Sequence, residues 1–129
     1  MLFREKECEV PELLVLARTM RLYTMDAWVS DPDVLTDESR LRDALRAGAR
    51  AGGATVLDET FCVFSNGAVT GVLVLAQSHL SLHTWPELSL ANVDLLSYGD
   101  VQGETVLGEI RERLAVERAD VNCVPRAVG

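Results

Sequence analysis

Eleven consecutive residues near the middle of the chain, Gln77-Ser78-His79-Leu80-Ser81-Leu82-His83-Thr84-Trp85-Pro86-Glu87, hold both histidines of the protein and one of its two tryptophans. A serine beside a histidine is raw material for a hydrolase, but the strand-turn-helix setting and flanking glycines of a nucleophile elbow are missing here. Two histidines four apart bind zinc readily on a helix. The polar and apolar alternation instead favours a strand, on which such residues stand about 13 Å apart, and this argues against a shared metal. The same alternation sends His79, Ser81, His83 and Trp85 to one face and Leu80, Leu82 and Thr84 to the other. One face is chemical and the other is core.

The surrounding sequence supplies the elements that hold this segment. Leu22 to Val29 reads as a first strand, followed by a turn at Ser30-Asp31-Pro32-Asp33. Thr36 as N-cap, with Asp37 and Glu38 in the first turn, starts a helix whose apolar side is Leu41, Ala44, Leu45 and Gly48. Gly52-Gly53 closes it. Residues 54–65 are rich in β-branched and aromatic types, and Asn66-Gly67 then signals a hairpin into a return strand, residues 68–77. That return strand is apolar on both faces, which predicts a central position with helices on one side and a second cover, such as a dimer partner, on the other. Pro86 ends the chemical strand. Residues 89–97 form another strand, and a loop at Gly99-Asp100 leads to a helix over about 103–116 with the stripe Val106, Leu107, Ile110 and Leu114. Residues 119–124 make the last strand. The order predicts an α+β fold: a two-layer sandwich with an antiparallel sheet, helices on one face, and two pseudo-repeated halves.

The chain has 129 residues, 48% hydrophobic, with a formal net charge of -8, the size and balance of one globular domain. Residues 1–19 read as an N-terminal extension and 20–129 as the domain. The negative charge repels nucleic acid and anionic membranes and favours small cationic partners. No apolar run is long enough for a signal core or a bilayer span, so a cytoplasmic location is expected. Cys8, Cys62 and Cys123 lack the paired spacing of zinc sites and read as reduced thiols.

With these residues in view, Ser78-His79-Leu80-Ser81-Leu82-His83-Thr84-Trp85-Pro86-Glu87 resembles the ESHxSxHTWPE cleavage region of bacterial S-adenosylmethionine decarboxylases. The similarity runs from about Leu22 through Gly53-Ala54-Thr55, Phe64 and Gly71 to Gly99. The resemblance implies a proenzyme that cuts itself between Gln77 and Ser78. The Ser78 hydroxyl attacks the carbonyl of Gln77, the amide becomes an ester, and elimination followed by hydrolysis leaves a pyruvoyl cofactor on residue 78. By the same resemblance His83 is the candidate base, Thr70 replaces a serine that assists processing, and the pyruvoyl ketone captures a substrate amine as a Schiff base. Phe64 and Trp85 would border an adenine and Glu87 would accept from the ribose or hold a cation. Without the motif, Phe64 and Trp85 also read as core aromatics and Glu87 as a solvated turn residue. His79 and Ser81 read as strand residues with no chemical step. Family members commonly pair, so a homodimer of cleaved protomers is expected.

Two positions depart from the family pattern. Gln77 stands where a glutamate is usual, which removes a charge without blocking the backbone chemistry. Tyr98, in Ser97-Tyr98-Gly99, stands where the family has the cysteine that protonates the product carbon. A phenol is a weaker acid than a thiol and a bulkier one. Three readings therefore remain open: a decarboxylase of S-adenosylmethionine serving spermidine synthesis, a pyruvoyl decarboxylase turned to arginine or ornithine, and an uncleaved homologue without enzymatic activity.

Overall fold

The computed structural model describes the backbone of residues 2–5 and residues 20–127 in full. Strands β1 (Leu2–Glu5), β2 (Met20–Val29), β3 (Val56–Val63), β4 (Val69–Leu75), β5 (Ser78–Trp85), β6 (Leu90–Tyr98) and β7 (Val116–Pro125) form one sheet in the order β1-β7-β2-β6-β5-β4-β3. Six strands are antiparallel to their neighbours, and β1 joins β7 in parallel at the edge. Helices α1 (Glu38–Ala51) and α2 (Gly103–Arg113) pack on one face, which confirms the two-layer α+β sandwich. The halves β2-α1-β3-β4 and β5-β6-α2-β7 interlock because β2 lies between β6 and β7.

The buried side explains why the sequence folds this way. Alternate residues of the strands, among them Met25, Leu73, Leu80, Leu82 and Leu95, are fully buried against Leu41 and Leu45 of α1 and Leu107 and Ile110 of α2. Each such side chain contributes about 1.5 to 3 kcal/mol by leaving water. The helices also touch each other through glycine: a Cβ on Gly48 would stand 2.7 Å from the Ile110 side chain. The helices can approach this closely only because that position carries no side chain. With Ser97, Thr84 is one of two buried polar residues among those described. Its hydroxyl donates to the Leu35 carbonyl at 2.8 Å and accepts from Val69 N–H at 2.8 Å, so it costs little to bury.

Three expectations need correction. The α1 N-cap is Asp37, whose carboxylate accepts from Arg40 N–H; Thr36 closes a preceding 3-10 turn, Pro32–Thr36, with its hydroxyl donating to Asp33. A 3-10 turn moves the helix start one residue on. The return strand β4 is second from the β3 edge rather than central, and Val74 on its outer face is 45% exposed. Among the described residues nothing covers that face. Lastly, Cys62 is a free, exposed thiol as expected, whereas Cys123 is disulfide-bonded. Cys8 lies outside the described residues. No helix among the described residues is long and apolar enough to cross a membrane.

Candidate active site

The β4–β5 hairpin places the Gln77-Ser78 bond at one end of the sheet. Leu75 pairs with Ser78, so Ala76 and Gln77 alone form the turn. Gln77 has φ of 61°, and Ala76 is not in that region. A positive φ at only the second turn residue is the pattern of a type II turn, which asks for glycine there and fits a hairpin less well than its mirror-image relatives. A glutamine held in this region costs about 1 to 2 kcal/mol. The next residue, Ser78, has a buried Oγ with no hydrogen-bond partner. Strain and an unsatisfied hydroxyl thus meet across a single peptide bond.

Register brings the end of β6 to this point. His79 pairs with Leu96, the last pair of that ladder, and Ser97 and Tyr98 follow at the end of β6. Ser97 is buried and donates to the Val101 carbonyl at 3.2 Å, while Tyr98 is half-buried on the other face of the sheet.

A second constellation stands on the open face, further along β5. Thr70 and His83 are cross-strand partners, and Thr70 Oγ1 lies 2.6 Å from His83 Nδ1. The predicted face of β5 is correct: Leu80, Leu82 and Thr84 are buried, while His79, His83 and Trp85 look outward. His83 meets the Trp85 ring edge-on at 4.5 Å between centroids, and Phe64 approaches His83 at 6.0 Å. Phe64 and Trp85 are 46% and 41% exposed, which leaves their faces open for a planar ligand and sets aside the reading as core aromatics. Phe64 is held by the Asn66-Gly67 turn, where its N–H donates to Ala68 and Gly67 takes φ of 88°. Glu87 sits exposed in a 3-10 turn, Pro86–Leu88, just beyond Trp85.

The structure therefore brings together Thr70, His83, Phe64 and Trp85, with Glu87 two residues beyond Trp85, and keeps Gln77, Ser78 and Tyr98 apart from them. Ser78 shares the face of its partner Leu75, which is buried toward the helices, whereas His83 faces away from them. Five strand steps also separate the two, about 16 Å. Sequence reasoning missed two residues. Asn92 accepts from Trp85 Nε1 at 2.6 Å and donates through Nδ2 to Asp26 Oδ1 at 2.8 Å. Their polar character at outward positions of β6 and β2 was a signal, but the strand order that makes them neighbours was not.

A family model described as S-adenosylmethionine decarboxylase matches residues 21–127. The chain belongs to the S-adenosylmethionine decarboxylase family. Curated relatives named S-adenosylmethionine decarboxylase proenzyme agree: one from Methanococcus maripaludis is 34% identical over 81% of this chain and 86% of its own length. Another, from Pyrococcus furiosus, is 32% identical over 82% of this chain and 77% of its own. The crystal structure of the adenosylmethionine decarboxylase from Aquifex aeolicus superposes with a TM-score of 0.75 at 25% identity, covering 86% of this chain and 92% of that one. The S-adenosylmethionine decarboxylase family match spans every strand from β2 to β7 and so contains both constellations.

Proposed function

We propose that this chain is a self-processing decarboxylase of S-adenosylmethionine that makes aminopropyl donors for spermidine synthesis. The observation that carries the reading is Gln77 at φ 61° joined to Ser78, whose buried hydroxyl has no partner. An Oγ left unsatisfied can turn on the Gln77 carbonyl carbon, and the strained turn raises the energy of the amide that must be lost. The C–N bond breaks as the C–O bond forms, giving an ester and a free amine on residue 78. Removal of the residue 78 α-proton then expels the Gln77 carboxylate. Water adds to the resulting imine, ammonia leaves, and a pyruvoyl group caps a chain of residues 78–129. Residues 1–77 form the second chain. These features fit the formation of that group from this chain alone.

Once formed, the pyruvoyl ketone supplies an electron sink for a bound amine. The remaining work falls to side chains. His83, with Thr70 on its Nδ1, is the base, and the separation along β5 favours its acting on the Ser78 of a second copy. A homodimer in which the β4–β5 turn of one copy comes to His83 of the other is the assembly this requires. Phe64 and Trp85 offer stacking faces for adenine, and Glu87 offers a carboxylate to the ribose hydroxyls or to the cationic sulfonium. Tyr98, two residues beyond the Leu96 that pairs with His79, is the candidate proton donor to the product carbon.

The test is release of labelled carbon dioxide from carboxyl-labelled S-adenosylmethionine, arginine and ornithine in parallel. Release from S-adenosylmethionine supports the reading. Release from arginine or ornithine alone would mean that the bulk of Tyr98 has narrowed the site to slimmer amino acids, and an uncut chain without release would mean a non-enzymatic homologue.

A further inference from the structure

The hydrogen-bonded chain from Trp85 through Asn92 to Asp26 links three strands on the open face, β5, β6 and β2. An asparagine amide can point either way, but here its neighbours decide. The indole N–H can only donate and an ionised carboxylate can only accept. Asn92 Oδ1 must therefore face Trp85 and Nδ2 must face Asp26. Reversal would put two donors together on one side and two acceptors on the other. Asp26 thus fixes the orientation of Asn92, and Asn92 fixes the indole.

Among the described residues, the hydrogen bond to Asn92 is the one polar hold on the indole. Trp85 is the last residue of β5, is 41% exposed, and is followed by Pro86. Its remaining ring contact is the His83 imidazole, whose far side is tied to Thr70. Holding Trp85 at Nε1 therefore sets the tilt of the aromatic wall and one flank of His83. We propose that Asn92 and Asp26 are positioning residues that clamp Trp85 in the plane needed to bind the adenine-bearing substrate. The inference rests on the proposed function for the identity of that substrate and on the observed hydrogen bonds for the clamp itself. Neither residue touches the reacting atoms; both act through Trp85.

The experiment exploits the polarity of the chain of hydrogen bonds. Asn92→Asp keeps an acceptor for Trp85 but sets a carboxylate against Asp26, and should weaken adenosine binding and raise KM for S-adenosylmethionine about tenfold, the worth of one hydrogen bond, with kcat changed much less. Adding Asp26→Asn to that variant restores an acceptor-donor pair with the roles exchanged. It should recover most of the lost affinity with kcat near the parent's throughout, whereas a merely structural role would lower kcat and the folded fraction together in the single variant.

A second readout is independent of turnover. In a Trp28→Phe background Trp85 is the sole tryptophan, so its fluorescence anisotropy reports the clamp directly. Asn92→Ala should lower that anisotropy, and the double exchange should not. Unchanged anisotropy and unchanged KM in Asn92→Ala would overturn the proposal, as would lowered anisotropy with unchanged adenosine affinity. A wild-type protein that binds adenosine yet releases nothing from S-adenosylmethionine would contradict the proposed function instead, and the anisotropy and adenosine measurements would still decide the clamp.

Discussion

Thr70 Oγ1 and His83 Nδ1 stand 2.6 Å apart across the β4–β5 pair, on the side of the sheet that the helices leave open. The contact fixes the imidazole plane and leaves Nε2 as the nitrogen that reaches outward. A base whose ring is held by a neighbour on one nitrogen and an aromatic edge on its flank loses little freedom when it acts.

Thr70→Val should therefore slow self-cutting and decarboxylation by about ten- to a hundredfold, within the usual worth of an acid-base group. Thr70→Ser keeps the hydroxyl and should stay within a few-fold of the parent. Rates of chain cutting on denaturing gels, followed by steady-state turnover of the cut protein, check both. Equal behaviour of the two variants would remove the hydroxyl from the account.

Separation of His83 from Ser78 on β5, about 16 Å and opposite faces, predicts action between copies. Ser78→Ala and His83→Ala should each remain uncut alone. Co-expressed under different tags, the His83→Ala chain should become cut and the Ser78→Ala chain should not. A mixture as inert as its parts would place the base within the same chain or elsewhere.

Gln77 should reveal its strain through glycine. In an uncuttable Ser78→Ala background, Gln77→Gly should stabilise the fold by up to about 1 kcal/mol, read as a shift in the urea midpoint, because glycine takes positive φ freely. With Ser78 intact, Gln77→Gly should cut more slowly than the parent. Faster cutting would show that the strain does not assist the acyl shift.

Much of this arrangement can be read from residue types. The alternation of His79 to Trp85 correctly divides β5 into a chemical and a core face, because a strand has only two faces and Leu80, Leu82 and Thr84 must share one. The apolar stripe Val106, Leu107, Ile110 and Leu114 marks the buried side of α2. Other features depend on long-range geometry. Nothing local says that β2 inserts between β6 and β7, so Asp26 cannot be read as a neighbour of Asn92 and, through it, of Trp85. Nor does glutamine announce a left-handed conformation: Gln77 takes it because two residues must connect Leu75 to Ser78. Tertiary closure sets that backbone against the residue's own preference.

Tyr98 gives a gain-of-function test. If it stands where the proton donor belongs, Tyr98→Cys should raise decarboxylation of S-adenosylmethionine several-fold, since a thiol is the stronger acid and the smaller group. Tyr98→Phe should lower it. Turnover that is unchanged or lower with cysteine would count against the role.

The most direct measurement is the intact mass of the purified protein under denaturing conditions, alongside borohydride or hydrazine trapping of a carbonyl. Two chains, residues 1–77 and residues 78–129, with the trapped carbonyl on the second and a single uncut band from Ser78→Ala, is the predicted result. One continuous chain of 14.1 kDa with no carbonyl to trap, or a Ser78→Ala protein that still splits, would contradict the account.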